Sequence, residues 1–157
     1  MVSYMRVCLG GTFYPLHKGH KILLKKAFQV AGAKGSVFIG VTSAAMAKKK
    51  GKIPSFEMRK RSLEQFLVEE NVQEQATIQP LSNKFGPTLE GDFDAIVVSP
   101  ETKPTAEEIN KKRKQLGKKP LQIVVIPFVL SEDKQPISSS RIRLKEIDEN
   151  GTLLKQE

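Results

Sequence analysis

Gly10-Gly11-Thr12-Phe13-Tyr14-Pro15-Leu16-His17-Lys18-Gly19-His20 is the stretch on which the reading of this chain turns. Residues 5–9 before it form a short apolar run suited to a buried strand, which the glycine pair is expected to break. After it, Leu23, Leu24, Ala27, Phe28 and Ala31 recur at helical spacing, predicting a helix over about 19–31 that Gly32 stops. The only two histidines of the chain, His17 and His20, stand three apart at that helix entry, with Gly19 between them. Glycine permits close backbone approach, and the unpaired N–H groups and positive end of a helix suit a phosphate. Imidazoles one helical turn apart point the same way and can both donate to phosphoryl oxygens. Zinc is the other reading of paired histidines, but a single cysteine, Cys8, and no further histidine leave its ligand set incomplete.

Outward from this segment the chain alternates strand and helix patterns. Residues 36–41 form a continuous apolar run, the mark of a strand covered on both faces. A polar, lysine-rich loop over 42–54 leads to a helix entry at Pro54 and Ser55, and Leu63, Phe66 and Leu67 supply that helix's inner stripe. Strands are expected at 76–81, 94–99 and 121–127. Thr105 with Glu108 reads as a capping box for a lysine-studded helix ended by Gly117, and 138–149 as a closing helix capped by serine. The alternation implies βαβ units, hence an α/β fold: one Rossmann-like domain spanning 1–157, its parallel sheet flanked by helices on both faces. Ligands of such sheets bind beyond the carboxyl ends of the strands, so 10–19, 42–54, 99–104 and 127–140 are expected to converge on one site.

Composition bounds the function class. The chain has 157 residues, 39% of them hydrophobic and 27% charged, which suits one domain with its own core and excludes a disordered tail. The lone cysteine excludes an internal disulfide framework and fits a reducing, cytoplasmic setting. No apolar run reaches the ~20 residues of a membrane helix, and the first residues lack the apolar segment of a signal peptide, so no membrane partner is expected. The net charge of +9 is concentrated, with +6 in residues 48–61 and +4 in 105–119. Such tracts draw anions, from nucleotides to nucleic acid, or simply keep a surface solvated. With eight Phe, two Tyr and no Trp, a stacking platform for single strands is disfavoured.

Two further segments carry polar chemistry at the predicted ligand edge. Ile137-Ser138-Ser139-Ser140-Arg141 opens the last helix with three hydroxyls and a forked cation suited to phosphate, although serine-capped helices are commonplace. The loop holding Lys48, Lys49, Lys50 and Lys52 stands after the second strand, followed by Arg59, while Ser99 and Glu101 lie at the exit of a central strand.

Together, Gly10-Gly11-Thr12-Phe13 with His17-Lys18-Gly19-His20, and Ile137-Ser138-Ser139-Ser140-Arg141, resemble the two signature motifs of the nucleotidylyltransferase superfamily with the H-x-G-H sequence. Within it the chain looks most like archaeal phosphopantetheine adenylyltransferases and the corresponding domain of eukaryotic coenzyme A synthase. Pro80-Leu81, Gly86-Pro87, Val97-Val98-Ser99-Pro100-Glu101-Thr102 and residues 141–148 carry that finer likeness. One position departs, since the family usually has aspartate after the Thr-Phe pair where this chain has Tyr14.

The resemblance implies transfer of AMP from ATP to 4′-phosphopantetheine, giving dephospho-coenzyme A and pyrophosphate by in-line attack, without a covalent enzyme intermediate. It implies that His20 stabilises the α-phosphoryl oxygens and that His17 holds neighbouring phosphates. Thr12 and a lysine of the 48–52 loop, Lys48 first among them, would orient the attacking phosphate. Gly10, Gly11, Phe13 and Gly19 would line the ATP phosphates, Ser138, Ser139, Ser140 and Arg141 would grip the leaving group, and Lys50, Lys52, Arg59, Ser99 and Glu101 are candidates on the acceptor side. Mg²⁺ would travel with ATP, without a dedicated protein metal site. Small-molecule substrates, no nucleic acid, and a monomer or small homo-oligomer complete the expectation. Other acceptors of the superfamily (glycerol 3-phosphate with CTP, a mononucleotide with ATP) stay open, as does, more remotely, a noncatalytic basic nucleic-acid-binding module.

Overall fold

Five short strands lie side by side in the order β3-β2-β1-β4-β5, all parallel. They are β1 (Arg6–Gly11), β2 (Ser36–Thr42), β3 (Ala76–Leu81), β4 (Ala95–Val98) and β5 (Gln122–Val125) in a computed structural model that describes residues 5–47 and 52–155. Helix α1 (Lys18–Ala31) joins β1 to β2, α2 (Ala44–Ala47) and α3 (Phe56–Glu69) precede β3, α4 (Lys103–Gln115) joins β4 to β5, and α5 (Ser139–Arg143) follows the sheet. Alternation along β1 divides the core. Val7 and Leu9 face α1 and α3 with Leu24, Ile39, Leu63 and Leu67, whereas Cys8 faces α4 with Ile96, Ala106 and Ile109. Helices therefore cover both faces, as the continuous apolar strands require. Among the described residues no helix is long and apolar enough to cross a membrane.

The chain winds outward from β1 to β3, then returns across the sheet to β4 and β5. The strand order thus reverses between β1 and β4, and a crevice opens there at their carboxyl ends.

Four local expectations are corrected. Gly10 and Gly11 do not break β1 but extend it, paired with Gly40 and Val41 of β2. The reason lies across the sheet, where Leu81 sits in a socket of glycines. A Cβ on Gly10 would stand 3.2 Å from its Cδ1, and one on Gly40 only 2.6 Å from its Cδ2. The capping box at Thr105 and Glu108 is absent. Helix α4 starts three residues earlier, with Thr102 rather than Thr105 at its N-cap, no side-chain cap bond and a proline in the first turn, while Glu108 pairs with Lys84 at 3.0 Å. The loop after β2 contains the short α2, opened by Ser43 Oγ accepting the Met46 N–H at 3.3 Å. The closing helix ends at Arg143 rather than near 149. Lys145 turns into left-handed backbone (φ 61°), the Glu146 N–H donates to the Arg141 carbonyl, and the chain swings Ile147 into full burial.

Candidate active site

A cavity of about 470 Å³ occupies the crevice, walled by residues 10–14 after β1, the start of α1, residues 99–102 after β4, residues 126–129 after β5, and the start of α5. Three of the four segments expected to converge do so here. The fourth reaches it through Thr42, whose Oγ1 donates to Thr12 Oγ1 at 3.0 Å.

His17 is the N-cap of α1 in extended backbone (φ −117°, ψ 175°), and its Nδ1 accepts the His20 N–H at 3.2 Å. His20 returns the bond, its Nδ1 accepting the His17 N–H at 3.3 Å, in a capping box built from two imidazoles. The rings stack with centroids 3.7 Å apart. Acceptance at Nδ1 places the proton of each neutral ring on Nε2, so each presents its N–H from the far side of the ring. Gly19 is the residue that permits this. A Cβ there would lie 2.8 Å from His17 Cε1. His17 is 7% exposed, and burial pushes its pKa down to about 4, which keeps it neutral near pH 7. Phe13, fully buried and in left-handed backbone (φ 53°), packs its ring 5.2 Å from that of His20 and fixes the other side of the pair.

The second wall is made differently. Ser138 is the N-cap of α5, its Oγ accepting the Arg141 N–H at 3.2 Å, and Ser139 and Ser140 follow along the cavity edge. Arg141 does not line the cavity. Its guanidinium donates to both oxygens of Asp133 (2.5 Å to Oδ2), to Glu146 at 3.2 Å, to Ser131 Oγ at 3.0 Å and to the Pro136 carbonyl. The hydrogen bond from Arg141, with a second from Ser131, lowers the Asp133 pKa to about 2. Arg143 takes the cavity side instead, reaching Ser140 Oγ at 3.4 Å and the Tyr14 carbonyl at 3.5 Å. The sequence reading missed it, although the signal was present. Ser139, Ser140 and Arg143 share a helical face at three and four residues' spacing, from which Arg141 points away.

Of the remaining candidates, Gly10, Gly11, Thr12, Phe13, Gly19, Ser99 and Glu101 line the cavity. Lys52 is exposed and lies outside it. Lys48 and Lys50 fall outside the described residues. Arg59, expected among the acceptor-side cations, is 1% exposed and holds backbone beneath the site: Nε donates to the Pro54 carbonyl at 3.0 Å, Nη1 to the Thr12 carbonyl at 3.3 Å. Burial lowers its pKa. Among the described residues no group of three or more His, Cys, Asp or Glu is placed to hold a metal ion.

A second cavity of about 240 Å³ shares Gly10, Gly11 and Thr102 with the first and extends over the α4 face of the sheet. Phe38, Leu81, Phe85 and Ile96 make it mostly apolar, with Lys84 among its lining.

The model of the cytidylyltransferase-like family matches residues 8–145. The phosphopantetheine adenylyltransferase of Methanosarcina mazei is 45% identical over 152 residues, covering 96% of this chain and 98% of that protein. The corresponding protein of Archaeoglobus fulgidus is 40% identical, over 96% of this chain and all of its own length. A solved Archaeoglobus fulgidus protein of unknown function superposes with a TM-score of 0.71 at 39% identity, covering 78% of this chain and 89% of that one.

Proposed function

The chain belongs to the cytidylyltransferase-like family and, within it, to the archaeal phosphopantetheine adenylyltransferases, and from that premise we propose that it transfers AMP from ATP to 4′-phosphopantetheine. A phosphate oxygen of the acceptor attacks the α-phosphorus in line. The new P–O bond forms as the bond to the β-phosphate bridging oxygen breaks, and pyrophosphate leaves with that electron pair. No side chain need become covalently attached. The difficulty is bringing two polyanions together, which positioning and fixed positive dipoles overcome.

The observation that carries this reading is the neutral, mutually capped histidine pair on the wall of the larger cavity. An Nε2–H held by a second ring and a backbone bond is a fixed donor, needing no reorganisation as charge builds on the α-phosphoryl oxygens. In this reading His20 makes that contact and His17 holds the neighbouring phosphate. Ser138, Ser139 and Ser140 meet the leaving group, with Arg143 as the guanidinium beside them and Arg141 bracing the loop behind. Thr12, with a lysine of 48–52, orients the attacking phosphate. The apolar second cavity, opening from the same two glycines, suits the pantetheine arm. Mg²⁺ would travel with ATP and neutralise charge on its phosphates. A cytoplasmic enzyme of small-molecule metabolism follows from the same reading.

The test is pyrophosphate release with Mg²⁺, ATP and 4′-phosphopantetheine, run beside CTP with glycerol 3-phosphate and ATP with nicotinamide mononucleotide. Turnover with phosphopantetheine alone is expected. Turnover with another pair keeps the phosphate chemistry and discards the acceptor. Folded protein silent with every pair overturns the reading.

A further inference from the structure

Thr12 meets the cavity at the end of a hydrogen-bonded chain that begins at a buried cation. Besides its two backbone carbonyls, Arg59 Nη1 donates to Thr42 Oγ1 at 3.1 Å. Thr42 Oγ1 in turn donates to Thr12 Oγ1 at 3.0 Å. The direction follows from the groups themselves: a guanidinium has no acceptor, so Thr42 receives from it and directs its single proton to Thr12. A hydroxyl polarised by a charged donor is itself a stronger donor, and the effect accumulates along a buried chain. Thr42 and Thr12 are both buried, which keeps water from competing for these bonds.

Arg59 also departs from the pattern of a purely structural clamp. Among the described residues Arg113, the other buried arginine, donates to backbone carbonyls alone, those of Lys119, Thr88 and Gly91. Arg59 instead engages a hydroxyl next to the cavity, and its Nη2 is the buried side-chain nitrogen without a hydrogen-bond partner among the described residues. Packing alone does not call for a donor left in that condition.

We propose that Arg59 and Thr42 are positioning residues of the transfer reaction: they hold the Thr12 hydroxyl in one orientation, its lone pair toward Thr42 and its proton directed away from it. The inference rests on the reading that Thr12 orients the attacking phosphate. Arg59 lines neither cavity and touches no substrate in this scheme, and Thr42, which also lines the apolar cavity, bears on the reacting phosphate only through Thr12.

A double-mutant cycle tests it. Thr42→Val keeps the side-chain shape and removes the hydroxyl, Thr12→Val removes the group acted upon, and Thr42→Ser restores the relay. Thr42→Val is expected to lower kcat/KM for the acceptor by about tenfold while KM for ATP moves less than about twofold. Thr42→Ser returns to the parent value. In the Thr12→Val background, Thr42→Val is expected to cost nothing more. Equal losses in both backgrounds, or no rescue by serine, overturn the relay. Should Thr42→Val fail to fold, Arg59→Lys enters the same cycle, since an ammonium keeps the charge but lacks the planar fork that serves Thr42 and the Thr12 carbonyl together. A parent protein inactive with every substrate pair overturns the reaction and the relay with it, whereas an active parent with independent losses overturns the relay alone.

Discussion

At the start of α1 the polar groups close on one another, whereas at the start of α5 they reach out to the loop beside them. His17 and His20 cap each other's backbone N–H, stack, and are wedged by Phe13. Ser138 caps α5 in the ordinary way, and Arg141 binds Asp133, Glu146 and Ser131 across the neighbouring turns. The two walls of one cavity therefore present different chemistry. The first offers neutral donors that cannot swing, suited to charge that appears only in the transition state. The second offers hydroxyls and the exposed Arg143, suited to charge that is present throughout.

The largest expected effect breaks the first wall. His20→Ala is expected to lower kcat by ~10²–10³, the usual cost of one preorganised transition-state donor, with circular dichroism showing an intact fold. An unchanged kcat in a folded variant would remove His20 from that role.

Acidity separates the two walls next. The folded pKa of His17, about 4, lies below its ordinary value of 6.5, so the unfolded chain binds the proton first as pH falls. Stability is complete above pH 6.5 and is lost as pH drops toward 4, by up to about 3 kcal/mol for a shift of this size. Asp133 follows in a lower window: its pKa is depressed from 3.8 to about 2, so the Arg141 network contributes above pH 3.8 and fades toward 2. Urea melts at half-unit intervals should show the two losses in sequence. His17→Asn, which keeps a good N-cap, should flatten only the upper one.

Smaller effects distinguish the two arginines. Arg143→Ala is expected to raise KM for ATP by about tenfold with little change in Tm, as loss of one charge-assisted contact does. Arg141→Ala should do the reverse, lowering Tm by a few degrees with KM nearly unchanged. Equal KM effects would show that both side chains meet the nucleotide.

Much of this arrangement was legible because it follows from local chemistry. The strands of the core, the glycine-limited helix after them and the convergence of strand ends rest on apolar runs and topology, which the structure keeps. The likeness of both phosphate motifs covered positions that do line the cavity. What escaped depends on long-range packing. Nothing near Arg141 in sequence shows that Asp133 will come to meet it, and Lys145 gives no local sign of the left-handed turn that cuts α5 short. Arg59 is instructive because its burial could have been read. It stands four residues before Leu63, on the same stripe as Phe66 and Leu67, yet the surrounding basic run made it look solvated.

The glycine socket behind Leu81 has a consequence for how substrate preference can drift. Gly40 and Gly86 crowd that side chain from positions that do not line either cavity, and Leu81 itself forms part of the apolar wall. Gly86 sits at φ +51°, where any side chain is strained, so Gly40 is the position open to change. One methyl there would stand 2.6 Å from Leu81 Cδ2 and 2.7 Å from its Cγ, so that side chain would have to move. The width of the apolar cavity is therefore adjustable through Leu81, by a position on the same sheet face that does not itself line the cavity.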